Sequence, residues 1–193
     1  MPDITVVPAT EDHYEDVCSL LPTSGGWGCS CQYYRLSAGD FSRSTMEGRL
    51  SALGAQMAKP PAPGVVAYAD GIPVGWCAFA PRTEYERLMR SRTIPFVDDA
   101  PVWSVVCFVV KAGHRRQGIS KAMLAGAVDY ARSQGAPGLE AYPIDPAGER
   151  VSTAFLFVGT VHTFEEAGFR KVMETKATSA RLPRWLMRLD LTG

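Results

Sequence analysis

The chain has 193 residues, 46% of them hydrophobic, and its 20 basic residues balance 20 acidic ones. That length supports one sizeable core, and zero net charge argues against a general nucleic-acid or anionic-membrane binder. The opening MPDITVVPAT has no basic region and no stretch is long enough for a membrane span, so neither a signal peptide nor a membrane anchor is expected; five cysteines in mostly apolar contexts fit a reduced, cytoplasmic protein.

Residues 3–8 alternate as a first strand. Thr10 is a good N-cap, with Glu11 and Asp12 in the first turn, and a helix is predicted to about Leu21, ended by Pro22. Residues 23–35 are rich in glycine, cysteine and aromatics and have no clear period. Aromatic loops of this kind often line pockets. Ser42 or Ser44 caps a second predicted helix, running to about Met57 or Lys59, and Pro60, Pro61 and Pro63 end it. Residues 64–69 and 72–79 read as a hairpin turning at Asp70-Gly71. A short helix over 83–90 and a polar connection carrying Asp98 and Asp99 lead to the central stretch.

That stretch covers residues 102–134. An apolar strand (102–110) stops at a basic turn bounded by Gly113 and Gly118, and a helix pattern follows at once, with Ile119, Ala122, Met123, Gly126, Ala127, Tyr130 and Ala131 on one face. Strand, basic glycine turn and helix make an anion site: unpaired N–H groups of the first helical turn face the turn, and the helix dipole favours negative charge there. His114, Arg115 and Arg116 either serve that anion or form a solvated turn. A strand over 139–142, a loop over 145–148, a helix over 160–167 with Gly168 as its C-cap, and strands over 169–175 and 185–191 complete the chain. The order of elements predicts a mixed α/β sheet with helices on its faces.

Gly113-His-Arg-Arg-Gln-Gly118-Ile119-Ser120 nearly spells a nucleoside triphosphate loop, but Ile119 stands where the phosphate-binding lysine is required. The spacing of Gly113 and Gly118 is also wrong for a dinucleotide fingerprint. Arg115-Arg116-Gln117-Gly118-Ile119-Ser120 instead resembles the [Q/R]-x-x-G-x-[G/A] signature of the GCN5-related N-acetyltransferases (GNAT). Thr163-Phe-Glu-Glu-Ala-Gly-Phe169 is similar to that family's L-Y-E-K-x-G-F, and Trp185-Leu-Met-Arg-Leu-Asp-Leu191 to its usual last strand. The likeness covers about Gly64 to the C-terminus well and the first strand and helix loosely. It implies one GNAT domain over 1–193, a mostly antiparallel sheet with helices on both faces, and an elaborated acceptor-side segment over 22–63.

The resemblance also implies acetyl-CoA as cosubstrate, no metal, and acetyl transfer to a small-molecule amine by direct attack. No nucleic-acid or membrane partner is expected, and exposed strand edges are compatible with a homodimer. The pantetheine arm would pair with the strand around Cys107, Phe108, Val109 and Val110. The pyrophosphate would lie on Arg115, Arg116, Gln117, Gly118, Ile119, Ser120 and Lys121. The family's proton-donating tyrosine falls at Phe164, which cannot donate, leaving Tyr142, His162 and Thr163 as substitutes. Glu140, a carboxylate on an apolar strand, is a candidate base or the partner of an arginine; Asp98 and Asp99 are further carboxylates near the central strand. Trp27, Cys29, Tyr33, Tyr34 and Arg35 are candidates for the acceptor pocket, with Trp76 and Phe79 as pocket wall or core. Cys29-Ser-Cys31 lacks the second ligand pair that structural zinc requires, and no histidine is identifiable to activate Cys29, Cys31 or Cys107 as a nucleophile.

Overall fold

Asp70 and Gly71 both take positive φ, 50° and 78°. This is the backbone of a two-residue hairpin turn, and it joins β2 (Gly64–Ala69) to β3 (Ile72–Pro81). The structure is a computed structural model and describes residues 2–21 and 29–192. The edge strand β1 (Ile4–Pro8) pairs antiparallel with β2, and β4 (Trp103–Val110) pairs antiparallel with β3. At the other end β6 (Arg170–Ser179) and β7 (Leu182–Asp190) form a second hairpin. Its turn, Ala180-Arg181, also has positive φ, 51° and 64°. These strands are longer than predicted because Ala-Arg carries no glycine to announce so tight a turn.

With β5 (Gly138–Ala141) the sheet has seven strands in the order β1-β2-β3-β4-β5-β7-β6. Among the strand pairs of the described residues only β4–β5 is parallel, as a βα-β crossover requires. This mixed, mostly antiparallel sheet has helices on both faces, as expected.

On one face lie α5 (Ile119–Ser133) and α6 (Val161–Glu166), packing Met123, Leu124, Ala127, Val161 and Phe164 against the sheet. Close approach of α5 depends on small residues: a Cβ on Gly126 would stand 2.6 Å from Val6 Cγ1, and one on Gly75 would stand 2.8 Å from Ile119 Cγ2. On the other face lie α1 (Tyr14–Leu20), α3 (Met46–Met57) and the short α4 (Glu86–Met89), around Trp76, Tyr85, Leu88, Val106 and Tyr142. Thr45, rather than Ser42 or Ser44, caps α3, accepting from the Gly48 N–H at 3.0 Å. A further short helix, α2 (Ala38–Arg43), capped by Ser37, precedes it. The predicted stop at Pro22 lies outside the described residues.

One local feature sets up the site. Between Val105, paired with Phe79, and Cys107, paired with Ala78, β4 carries an extra residue. This bulge puts Val106 and Cys107 in the same layer. Pairing with β5 ends at the same point, at Val105↔Ala141. Beyond it the two parallel strands part, and the second half of β4 faces a gap.

Candidate active site

The gap opens into a cleft of about 920 Å³. Phe108, Val109 and Val110 form its strand wall; Arg115, Arg116, Gly118, Ile119, Ser120 and Lys121 form the turn and helix start. Gly118 is the N-cap of α5, with φ +79°, and no side chain caps the helix. The first intrahelical donor is Ala122 N–H, to Gly118 O at 2.9 Å. The N–H groups of residues 119–121 precede it and have no intrahelical partner. A Cβ on Gly118 would meet nothing within 4 Å, so the cradle in front of the helix is open. His114, Arg115, Arg116, Lys121 and Arg150 give the walls a basic excess over Glu166. Glu166 is itself engaged by Lys121 at 3.5 Å and His162 at 3.9 Å.

Sequence reasoning missed the opposite wall. Arg150, Val151, Ser152, Leu156 and Phe157 come from the loop after β5 and the 3-10 turn Thr153–Val158. That segment has neither helix nor strand period, and no signal in it pointed to the cleft. Cys107 and Gln117, both expected to act through their backbone, do not line the cleft. Cys107 faces the other layer because of the bulge. Gln117 donates its side-chain amide to Gly113 O at 3.0 Å.

On the far side of the sheet, a polar cluster stands where β4 and β5 part. Glu140, 1% exposed, accepts from Arg82 Nη1 at 2.5 Å, and its other oxygen lies 3.9 Å from Arg188 Nη1. Tyr142 Oη donates to Glu140 at 3.2 Å, lies within hydrogen-bond distance of Ser104 Oγ at 2.9 Å, and accepts from Arg82 at 3.3 Å. Burial, then the nearby Glu140 charge, push the Tyr142 phenol well above the ordinary tyrosine range, so it stays protonated at neutral pH. Arg82 Nε is buried with no partner, while its guanidinium lies 4.1 Å from the centre of the Phe96 ring. The expected alternative for Glu140, an arginine partner, is therefore present, and Glu140 and Tyr142 belong to one hydrogen-bonded cluster.

The family's tyrosine position, Phe164, is fully buried between Phe108 and Phe169, at 5.8 and 5.0 Å between ring centroids. Thr163 reaches the cleft, its hydroxyl 3.0 Å from that of Thr160. His162 is exposed on the helix surface. Asp98 ion-pairs with Arg188 at 2.6 Å, and Asp99 is exposed.

Of the acceptor candidates, Trp27 lies outside the described residues. Cys31 is buried beneath the sheet and its Sγ accepts from Trp76 Nε1 at 2.7 Å. Contact with the Cys31 thiol, then burial, raise the pKa of Cys29. Contact with Cys107 raises that of Cys31, and burial that of Cys77. These groups are thiols at neutral pH, which disfavours nucleophilic roles. Tyr33 is exposed, with Arg87 4.1 Å from its ring centre, and Tyr34 accepts from Arg184 Nη1 at 2.5 Å. Arg35 pairs with Glu84. Phe79 does not join Trp76. The two are three residues apart on a strand, so they face opposite layers, and Phe79 packs with Trp103 and Tyr130 against α5. Among the described residues no three His, Cys, Asp or Glu side chains are placed to hold a metal ion, and no described helix is long and apolar enough to cross a membrane.

The model of the acetyltransferase (GNAT) family matches residues 31–152, more than half of the chain. The chain belongs to the GNAT acetyltransferase family. No curated protein sequence matches it significantly. Solved structures share the GNAT fold with it at low identity. An N-acetyltransferase of Staphylococcus aureus Mu50 is 14% identical over 98% of this chain and 99% of its own, with a TM-score of 0.60. The yncA protein of Salmonella typhimurium, solved with its cofactor acetyl-CoA, is 14% identical over 99% and 95%, with a TM-score of 0.60. The paia N-acetyltransferase of Thermoplasma acidophilum, in complex with coenzyme A, is 12% identical over 97% and 99%, with a TM-score of 0.54. Within this GNAT chain the matched region holds β4, the basic turn, α5 and the Glu140–Tyr142 cluster, but ends before Phe164.

Proposed function

We propose that the protein is an acetyl-CoA-dependent N-acetyltransferase acting on the primary amine of a small molecule. The observation that carries the reading is the uncapped N-terminus of α5, open and ringed by Arg115, Arg116 and Lys121, at the foot of a strand open on one edge. Those residues fit a diphosphate. The second half of β4 is paired with β3 on one edge and open on the edge facing β5, and that open edge offers backbone N–H and C=O groups that an amide-bearing pantetheine arm satisfies. The Salmonella and Thermoplasma proteins, solved with acetyl-CoA and coenzyme A, support the choice of cosubstrate. Five cysteines without a disulfide accord with work in the cytoplasm, and the sheet edges at β1 and β6 are the surfaces a homodimer would use.

Acetyl-CoA supplies an activated acetyl group as a thioester: the amine nitrogen forms the new C–N bond, the C–S bond breaks, and one proton passes in net from nitrogen to sulfur. The chain must hold the amine in line and manage that proton. In this reading Tyr142, a neutral phenol one residue past the last β4–β5 rung, is the donor. Glu140 is the acceptor end of the same cluster, held by Arg82. Residues 29–63 of the acceptor-side segment cover the layer opposite α5, where Tyr34 and Cys31 meet the sheet.

Phe164 favours a second reading, an acyl-CoA-binding module with little turnover, since no hydroxyl stands at the family's donor position. Thiol release from acetyl-CoA across a panel of small amines and a peptide acceptor separates the two. Acceleration by small amines supports the enzyme. Binding of acetyl-CoA with no acceleration by any acceptor supports the module, and a peptide outcompeting the small amines would make this a protein acetyltransferase.

A further inference from the structure

Three arginines are buried in the layer opposite α5, and two are matched to carboxylates. Arg82 pairs with Glu140 at 2.5 Å and Arg188 with Asp98 at 2.6 Å. The third, Arg184, is 5% exposed and forms no ion pair among the described residues. Residues 22–28 contain no Asp or Glu that could supply one. Its partners are neutral: Nε donates to Tyr142 O at 2.6 Å and Nη1 to Tyr34 Oη at 2.5 Å. The guanidinium carbon lies 5.8 Å from the centre of the Tyr142 ring and 5.9 Å from that of Tyr34.

A guanidinium taken out of water without a counter-charge is costly, and two neutral hydrogen bonds do not offset the loss of solvent. A role confined to tying Tyr34 to β7 would not need a permanent charge. The location is specific. Arg184 grips the carbonyl of Tyr142, the residue just past the last β4–β5 pair, and Tyr34 brings the acceptor-side segment to the same point. An anion docked there stands beside the fork and supplies the missing charge.

We propose that the acceptor carries an anionic group, a carboxylate or a phosphate, beside its amine, and that Arg184 with Tyr34 receives it. The inference rests on the acetyl-transfer reading and narrows its substrate class to amino-acid-like or phosphorylated amines. Arg184 acts as a specificity determinant, fixing the acceptor so that its amine points to the fork. Planar, forked N–H groups suit either anion, and a charge-assisted pair adds orientation as well as affinity.

The test compares matched acceptors in the thiol-release assay: an amino acid, its carboxamide, and a phosphate-bearing amine of similar size. Binding of the corresponding N-acetyl products to the CoA-loaded protein is measured alongside. The anionic acceptors should exceed the carboxamide by about 10- to 100-fold in kcat/KM, mainly through KM, and whichever anion leads identifies the group. Arg184→Gln should abolish that preference with CoA affinity unchanged, and Arg184→Lys should keep part of it. A carboxamide used as well as the acids by the wild type, or a preference that survives in Arg184→Gln, overturns the proposal. The wild-type comparison decides alone if the variant does not fold. If no amine accelerates thiol release, the acetyl-transfer reading fails while the binding series still decides the anion site. Tighter binding of the anionic products supports it, and equal affinity for the neutral one overturns it.

Discussion

Glu140 shows how one residue can be both a candidate for chemistry and a structural hazard. At 1% exposure its carboxylate is held by Arg82, and removing the arginine strands a buried charge. Arg82→Ala should therefore cost roughly 3–5 kcal/mol in urea unfolding, and adding Glu140→Gln should recover a large part of that loss. A single variant as stable as the wild type would contradict the pairing. Tyr142→Phe removes the hydroxyl that Ser104 and Glu140 share. If Tyr142 is the donor, kcat should fall by about 100-fold with acetyl-CoA affinity unchanged; a wild-type kcat would remove it from the mechanism. Because its phenol is pushed well above the ordinary range, its ionisation should not shape the activity profile below about pH 10. At this scale the sequence supplied candidates without partners. A carboxylate on an apolar strand was visible, while the arginine that neutralises it sits 58 positions away. Trp76 and Phe79, three apart, were separable by strand alternation alone.

Among the elements, α5 carries most of the site, and its seat is tight. Gly126→Ala gains up to about 1 kcal/mol of helix propensity, but the new methyl would sit 2.6 Å from Val6 Cγ1. Overpacking costs about 1–3 kcal/mol, so the clash should win and lower the melting temperature. Combined with Val6→Ala, the double variant should be more stable than the sum of the two single effects; strict additivity would refute the contact. The strand–turn–helix unit was legible because its periods change abruptly at Gly113 and Gly118. The fork was not, because it depends on a one-residue bulge in β4 and on where β5 stops, and neither alters the apolar pattern of 102–110. The far wall of the cleft, around Arg150 and Phe157, lay in an aperiodic segment.

Across the whole molecule, the mixed sheet followed from the order of elements, whereas the length of the last hairpin did not, for want of a turn signal at Ala180-Arg181. Alkaline pH probes the packed layers together. Tyr68, Tyr85 and Tyr142 have raised folded-state pKa values, each chiefly through burial. Their contribution is fully present below the unfolded value near pH 10 and is lost as pH rises toward the folded values. The thiols of Cys29, Cys31 and Cys77, whose pKa values are also raised, act in the same sense from about pH 8.5. The melting temperature should fall steadily between about pH 9 and 11, and a flat profile would contradict the burial assigned to these groups.

The placement of the diphosphate at the start of α5 is tested most directly by calorimetric titration of coenzyme A into the wild type and Gly118→Asp. The substitution sets a carboxylate in the open cradle, at a φ of +79° that disfavours any side chain. Saturable one-to-one binding by the wild type is predicted, weakened by about 100-fold or more in the variant with the fold retained by circular dichroism. No binding to the wild type, or equal affinity in both, would contradict it.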